Sequence, residues 1–146
     1  MPDEAYEDLK LERQLCFPLY ACSREVIKKY RPFLDAVGLT YTQYVAMMVF
    51  WEMQSVSVKE LGERLYLDSG TLTPVLKHLE QKGYITRRRS AEDERVLIAA
   101  LTDKGRALQA EAAAIPKQIG SCIRLDPQEA LMLYRLLYKL LHTMEE

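Results

Sequence analysis

The chain of 146 residues holds only three cysteines and two histidines, and no two cysteines form a C-x2-C pair. Metal centres built on thiols and imidazoles need such spacings, so no metal and no cofactor is expected. No apolar run reaches the roughly eighteen residues of a membrane span, so no membrane partner is expected either. The opening M-P-D-E-A-Y-E-D is acidic and polar, which excludes a secretory signal. An odd number of cysteines without such a signal points to the reducing cytoplasm. There is no Gly-rich phosphate loop, no local Ser/His/Asp signature, no internal repeat and no low-complexity tract. Strong net charge is missing too, at −1, which argues against an indiscriminate basic coat.

What is present centres on residues 57–95. Ser57 followed by Glu60 reads as a capping box, with Val58, Leu61 and Leu65 as one apolar face. Tyr66, Leu67, Asp68 and Ser69 read as a turn. A second helix follows, with Leu72, Val75, Leu76 and Leu79 at the spacing of a buried stripe. Gly83 ends it at the C′ position. Pro74 removes a backbone donor, so either this helix starts near Thr71 or its first turn is distorted. The opposite face carries Thr71, Thr73, Lys77, His78 and Gln81, a polar and net basic set. Residues 84–89 and 96–101 are β-rich and flank a charged loop, which reads as a hairpin. Two helices at a short turn plus a hairpin make a winged helix-turn-helix.

Charge is uneven along the chain. Residues 77–89 hold Lys77, Lys82, Arg87, Arg88 and Arg89 against Glu80 alone, while acidic residues gather at the ends in Asp3, Glu4, Glu7, Asp8, Glu145 and Glu146. A local basic surface on an acidic body suits a specific binder of double-stranded DNA. A solvated helix beside a charged loop is the plainer account of the same charges, and it leaves the order of elements unexplained.

The flanks are expected to be helical. Residues 9–34 form one stretch, in which Pro18 marks a fresh helix start near Phe17 or a kink, and Pro32 and Gly38 punctuate the exit. Residues 41–52 form a helix apolar on most sides, which belongs inside. Thr102-Asp103 opens a long helix that Pro116 and Gly120 bend or interrupt. Asp126 as N-cap and Pro127 at N1 start the last helix. Leu131, Leu133, Leu136, Leu137, Leu140 and Leu141 make that helix apolar nearly all round, more than a small fold buries by itself. The expectation is a mainly α chain with a small β wing, folded as a single domain over 1–146. Residues 9–36 and 103–145 would dimerise it, and 41–101 would bind DNA. A homodimer would set two reading helices about one DNA turn apart and require a pseudo-palindromic operator.

Cys16 is the thiol of interest. A helix starting there would place it near unpaired N–H groups that favour a thiolate, and Tyr30 and Tyr41 flank a loop that could fold back on it. The other reading is a small buried hydrophobe. Cys22, six residues on, lies about 240° round a helix, so the two thiols face apart, and it reads as structural. Cys122 reads as a partner thiol or as merely packed.

The motifs L-x-x-Q-L-C-F at 11–17, L-T-Y-x-Q-Y at 39–44, G-E-R-L-Y-L-D-S-G-T-L-T-P at 62–74 and D-E-R at 93–95 carry a resemblance. With them the chain resembles the MarR class of winged-helix regulators over nearly its full length, and within it the organic-hydroperoxide-sensing, OhrR-like repressors. The resemblance implies that Cys16 is the peroxide-reactive thiolate, held by hydrogen bonds from Tyr30 and Tyr41. It implies oxidation to a sulfenic acid. That acid is then capped by a small cellular thiol, or closes an intersubunit disulfide to a C-terminal cysteine. Cys122 lies where the second branch has its resolving cysteine. Pro18 and Cys22 match nothing in the family pattern. Arg95 would enter the minor groove, held by Asp93. Ser69, Thr71, Thr73, Lys77 and His78 would face bases or phosphates, and Arg87, Arg88 and Arg89 the backbone.

The function expected on this resemblance is a dimeric, non-enzymatic repressor that releases its operator when an organic hydroperoxide oxidises Cys16. One alternative is a repressor of the same class released by a small aromatic anion, with Cys16 merely packed. Others are a thiol peroxidase and a helical interaction module without salt-dependent DNA binding.

Overall fold

The computed structural model describes residues 4–145. The acidic Asp3 and Glu146 lie outside the described residues. The chain divides into two compact units, one ending at Ile115 and one beginning at Pro116.

The first unit opens with two 3-10 turns, Glu4–Leu9 and Leu11–Arg13. The Gln14 amide ties them together, donating to the carbonyls of Asp8 (2.6 Å) and Lys10 (2.9 Å). Helix α1 then runs from Cys16 to Asp35. Residues 9–34 are thus mostly helical, with the fresh start of α1 at Cys16, one residue before Phe17. Pro18 sits in its first turn, where a missing N–H costs nothing, so it starts the helix rather than kinking it. Pro32 lies inside α1 instead of ending it. The exit comes at Gly38, in the left-handed region at φ +70°.

Helix α2 (Tyr41–Met53) is the centre of the unit. Thr40 caps it, accepting the Gln43 N–H, while the Gln43 side chain accepts the Thr40 N–H, each at 3.2 Å. Tyr44, Ala46, Met47, Val49 and Phe50 are buried, as expected of a helix apolar on most sides. Strand β1 (Ser55–Ser57), helix α3 (Val58–Leu65) and helix α4 (Ser69–Gln81) follow. Leu61 from α3 and Leu72, Leu76 and Leu79 from α4 join the α2 side chains in one core. Strands β2 (Ile85–Arg89) and β3 (Leu97–Leu101) form the wing. The sheet has three antiparallel strands in the order β1-β3-β2, with Val56 opposite Ala99 and Arg87 opposite Ala99 on its other side. The hairpin expectation missed β1, which is three residues long and exists because β3 offers it an edge. Only half of the capping box at Ser57 forms: its hydroxyl accepts the Glu60 N–H at 3.1 Å.

Helix α4 begins at Ser69, two residues before Thr71. Asp68 is its N-cap, accepting the Thr71 N–H at 2.7 Å. That bond holds the Asp68 carboxyl below the usual carboxylate range. Pro74 thus lies inside the helix, four residues after Gly70, whose carbonyl forgoes the usual N–H partner.

Helix α5 (Asp103–Ala112) is capped by Thr102, which accepts the Gly105 N–H at 3.0 Å. The expected interruption falls between Ala112 and a short helix α6 (Ile115–Gly120). In the second unit, helix α7 (Pro127–Met144) has a full capping box between Asp126 and Glu129. None of its residues is buried, and Leu131, Leu133, Leu136 and Leu140 are all exposed. Among the described residues no helix is long and apolar enough to cross a membrane.

Candidate nucleic-acid interface and thiol site

The stripe of Leu72, Leu76 and Leu79 fixes which way α4 faces. Ser69, Thr71, Thr73, Lys77 and His78 are all exposed on the side away from the core, as the spacing predicts. The Thr73 hydroxyl donates to the Ser69 carbonyl at 2.7 Å, so its oxygen remains as an acceptor towards solvent.

In the wing, Asp93 accepts three bonds from Arg95: from its backbone N–H (3.0 Å), its Nε (3.1 Å) and its Nη2 (3.4 Å). These bonds hold the Asp93 carboxyl below its ordinary range. The Arg95 side chain remains 91% exposed, so the carboxylate aims the guanidinium without covering it. Arg88 and Arg89 are exposed on β2.

Arg87 is engaged within the fold. Its Nη2 donates to Glu80 Oε1 at 3.0 Å and its backbone N–H to Glu80 Oε2 at 3.1 Å, and it is half-buried. That cation joins β2 to α4. Lys82 is likewise turned inward, donating to the Gly38 carbonyl and the Gln43 amide oxygen. The basic run of five therefore presents three of its members, Lys77, Arg88 and Arg89, with Arg95 added from the wing tip. Asp68 and Glu80 escaped the sequence reading. Aspartate three residues before Thr71 is a legible cap signal, whereas the pairing of Glu80 with Arg87 spans a helix end and has none.

The thiol lies elsewhere. Cys16 is the first residue of α1 and is exposed. Beside it in sequence, Lys10, Leu11, Glu12, Gln14, Phe17 and Pro18 line an open cleft of about 710 Å³. Tyr30 and Tyr41 do pack together, with ring centroids 4.9 Å apart, and Tyr44 completes a cluster at 6.0 and 6.3 Å from them. Burial pushes the Tyr30, Tyr41 and Tyr44 phenols up, Tyr44 to about 12, with the neighbouring phenols adding to Tyr30 and Tyr44. All three are therefore protonated donors at neutral pH.

Cys16 and this cluster do not meet within one chain. Fourteen residues of continuous helix separate Cys16 from Tyr30, about 21 Å at 1.5 Å per residue. The loop does not fold back on the cysteine, because α1 is unbroken between them. Cys22 is exposed on α1 rather than packed. Cys122 is also exposed, its Sγ 3.7 Å from the Gln118 carbonyl in the turn after α6. No cluster of three or more potential metal ligands occurs among the described residues.

Comparison with known proteins places this geometry. Residues 25–112 match the family described as transcriptional regulator SarA/Rot. The chain is 46% identical to the organic hydroperoxide resistance transcriptional regulator of Bacillus subtilis (strain 168), over 99% of this chain and 98% of that one. Among solved structures it resembles reduced AbfR bound to DNA, with TM-score 0.77, 36% identity and coverage of 97% and 99% of the two chains. It also resembles disulfide-formed AbfR, with TM-score 0.64, 34% identity and full coverage of both. AbfR comes from Staphylococcus epidermidis. The chain belongs to the SarA/Rot family of MarR-class winged-helix transcriptional regulators, in its organic hydroperoxide resistance branch.

Proposed function

We propose that this chain is a homodimeric repressor that holds a pseudo-palindromic operator while Cys16 is reduced and releases it when an organic hydroperoxide oxidises that thiol. The observation that carries the reading is an exposed Cys16 at the head of α1 in a chain 46% identical, nearly end to end, to an organic hydroperoxide regulator. The exposed leucines of α7, and an α1 that buries Leu34 alone, support the dimer, since such faces need a cover.

The Cys16 thiolate attacks the outer peroxide oxygen. The O–O bond breaks, sulfur gains oxygen as a sulfenate, and the departing alkoxide takes a proton to leave as an alcohol. Tyr30 and Tyr41 donate hydrogen bonds to the sulfur. Tyr30 lies about 21 Å along α1 from Cys16 of its own chain, and Tyr41 packs on Tyr30, so both serve Cys16 of the second copy. The Cys122 thiol of the other subunit then attacks the sulfenic sulfur, forming an intersubunit disulfide and releasing water. Displaced helices change the spacing of the two reading heads, and both half-sites can no longer be docked together. Each thiol reacts once, so the chain reports hydroperoxide rather than removing it.

The test is operator affinity on DNA upstream of the protein's own gene, before and after one equivalent of cumene hydroperoxide. Loss of affinity supports the reading, and unchanged affinity refutes it.

Arg87 and Arg95, two of the wing arginines, separate by role. Arg95→Ala is expected to weaken operator binding about tenfold or more and to lower the salt slope by about one where a phosphate contact is lost. Arg87→Ala is expected to leave the salt slope alone and to loosen β2 from α4, visible as faster amide exchange there. Anisotropy titrations at several salt concentrations distinguish the two.

A further inference from the structure

Helices α1 and α4 end in the same way. After α1, the Leu39 N–H donates to the Leu34 carbonyl (3.1 Å) and the Gly38 N–H to Asp35 (3.2 Å). After α4, the Tyr84 N–H donates to the Leu79 carbonyl (3.0 Å) and the Gly83 N–H to Glu80 (2.9 Å). Both glycines are left-handed, at φ +70° and +82°. These are two Schellman turns, and one side chain joins them.

That side chain is Lys82, the C-cap of α4. Its ammonium donates to the carbonyl of Gly38 and to Gln43 Oε1, the latter at 3.1 Å. Gln43 is the one buried polar residue among the described residues, at 5% exposure. Its oxygen also takes the Thr40 N–H. The segment so gripped runs from Gly38 to Gln43. Tyr41 lies within it, packed on Tyr30 and Tyr44.

The far side of the same junction is equally tied. Lys104 Nζ donates to the Lys82 carbonyl at 2.8 Å, and the Thr102 hydroxyl to the Gly83 carbonyl at 2.6 Å. The end of α4 is thus held from both sides. A displacement of the 38–43 segment has little slack to absorb it before it reaches α4.

We propose that Lys82 is a positioning residue coupling the tyrosine cluster to the reading helix: its bridge to Gly38 and Gln43 transmits movement of the Tyr41 segment to α4. It acts through these groups and touches neither thiol nor operator. The proposal rests on the reading of Cys16 as the sensor.

The experiment compares wild type, Lys82→Met and Lys82→Arg as full-length dimers. Operator affinity is measured before and after cumene hydroperoxide, and loss of the Cys16 thiol is followed by reagent titration in parallel. Wild type is expected to lose affinity on oxidation. Lys82→Met, which keeps the stem and deletes the ammonium, should lose its thiol at the wild-type rate. Its ratio of reduced to oxidised affinity should nevertheless shrink about tenfold, within the usual range of coupling between sites. Lys82→Arg should recover most of that ratio. A purely structural lysine would change both affinities together and leave the ratio alone, and an unchanged ratio in Lys82→Met overturns the proposal. If Lys82→Met does not fold, Lys82→Gln is read by the same ratio, and failure of both to fold overturns it as well. A wild type that ignores hydroperoxide overturns the sensor reading itself, a result separate from a responsive wild type with an equally responsive Lys82→Met.

Discussion

A Cys16→Ser dimer is expected to stay on its operator at a hydroperoxide dose that releases wild type, a difference of about 5- to 150-fold in affinity after treatment. Serine is the nearest natural stand-in for the thiol in shape but cannot accept the peroxide oxygen, so reduced-state binding should be near normal. The sharper form of the experiment uses mixed dimers. One subunit carries Cys16→Ser, and the other carries Tyr30→Phe with Tyr41→Phe. With about 21 Å of helix between Cys16 and Tyr30, the site proposed above would draw its thiol and its phenols from different chains. The mixed dimer then contains one intact site, formed by the cysteine of the second subunit and the tyrosines of the first. It should oxidise faster than either parent homodimer. Sites confined to single chains would leave none intact, and the mixed dimer would be as inert as its parents. Thiol titration after a timed dose decides between them.

The second large effect concerns stability. Gly105→Ala is expected to cost about 3 kcal/mol or more, at the upper end of overpacking penalties. A Cβ at Gly105 would stand 2.2 Å from the Tyr84 carbonyl oxygen and 2.8 Å from Leu101 Cδ1. The carbonyl belongs to backbone just ahead of β2 and cannot rotate away. Gly105 is also pinned from two other directions: its own carbonyl accepts the Trp51 indole N–H at 2.9 Å, and its N–H donates to Thr102 at 3.0 Å. Relief of the clash would break one of these or shift the wing. At about 2–4 °C per kcal/mol for a chain of this size, the melting temperature should fall by roughly 10 °C at fixed protomer concentration. A loss under about 2 °C would mean that the α5–wing approach is softer than the contacts indicate.

Much of the fold was legible because its determinants are local. The stripe from Leu72 to Leu79, the caps at Ser57 and Asp126, and Gly83 as the C′ residue each lie within a few residues of what they control. Helix α4 starts at Ser69, two residues ahead of the start near Thr71 that Pro74 suggests. A proline inside a helix asks only that one earlier carbonyl go without its donor, and the Asp68 cap supports the longer helix. β1 was invisible because three residues carry no period, and the strand depends on β3 for its pairing. At the site, the residue types on the outer face of α4 were readable, and the Asp93–Arg95 pair came with the D-E-R motif. The diversion of Arg87 to Glu80 and of Lys82 to Gly38 was not, since those partners meet only after helices and strands have packed. Cys16, Tyr30 and Tyr41 stand out by helix-start chemistry and position, and the roles assigned to them come with the motif. Their separation followed only from seeing α1 run unbroken past Pro18 and Pro32.

The Glu80–Arg87 bridge has a bearing on operator sequence. It fastens β2 to α4 through two bonds, one of them to backbone, so helix and wing cannot slide past each other. Within a half-site, the step from the major-groove contacts proposed for α4 to the minor-groove contact proposed for Arg95 would then be a fixed ruler. Inserting one base pair inside a half-site should be tolerated worse than inserting one at the centre of the palindrome, where the joint between subunits can take up part of the change in twist.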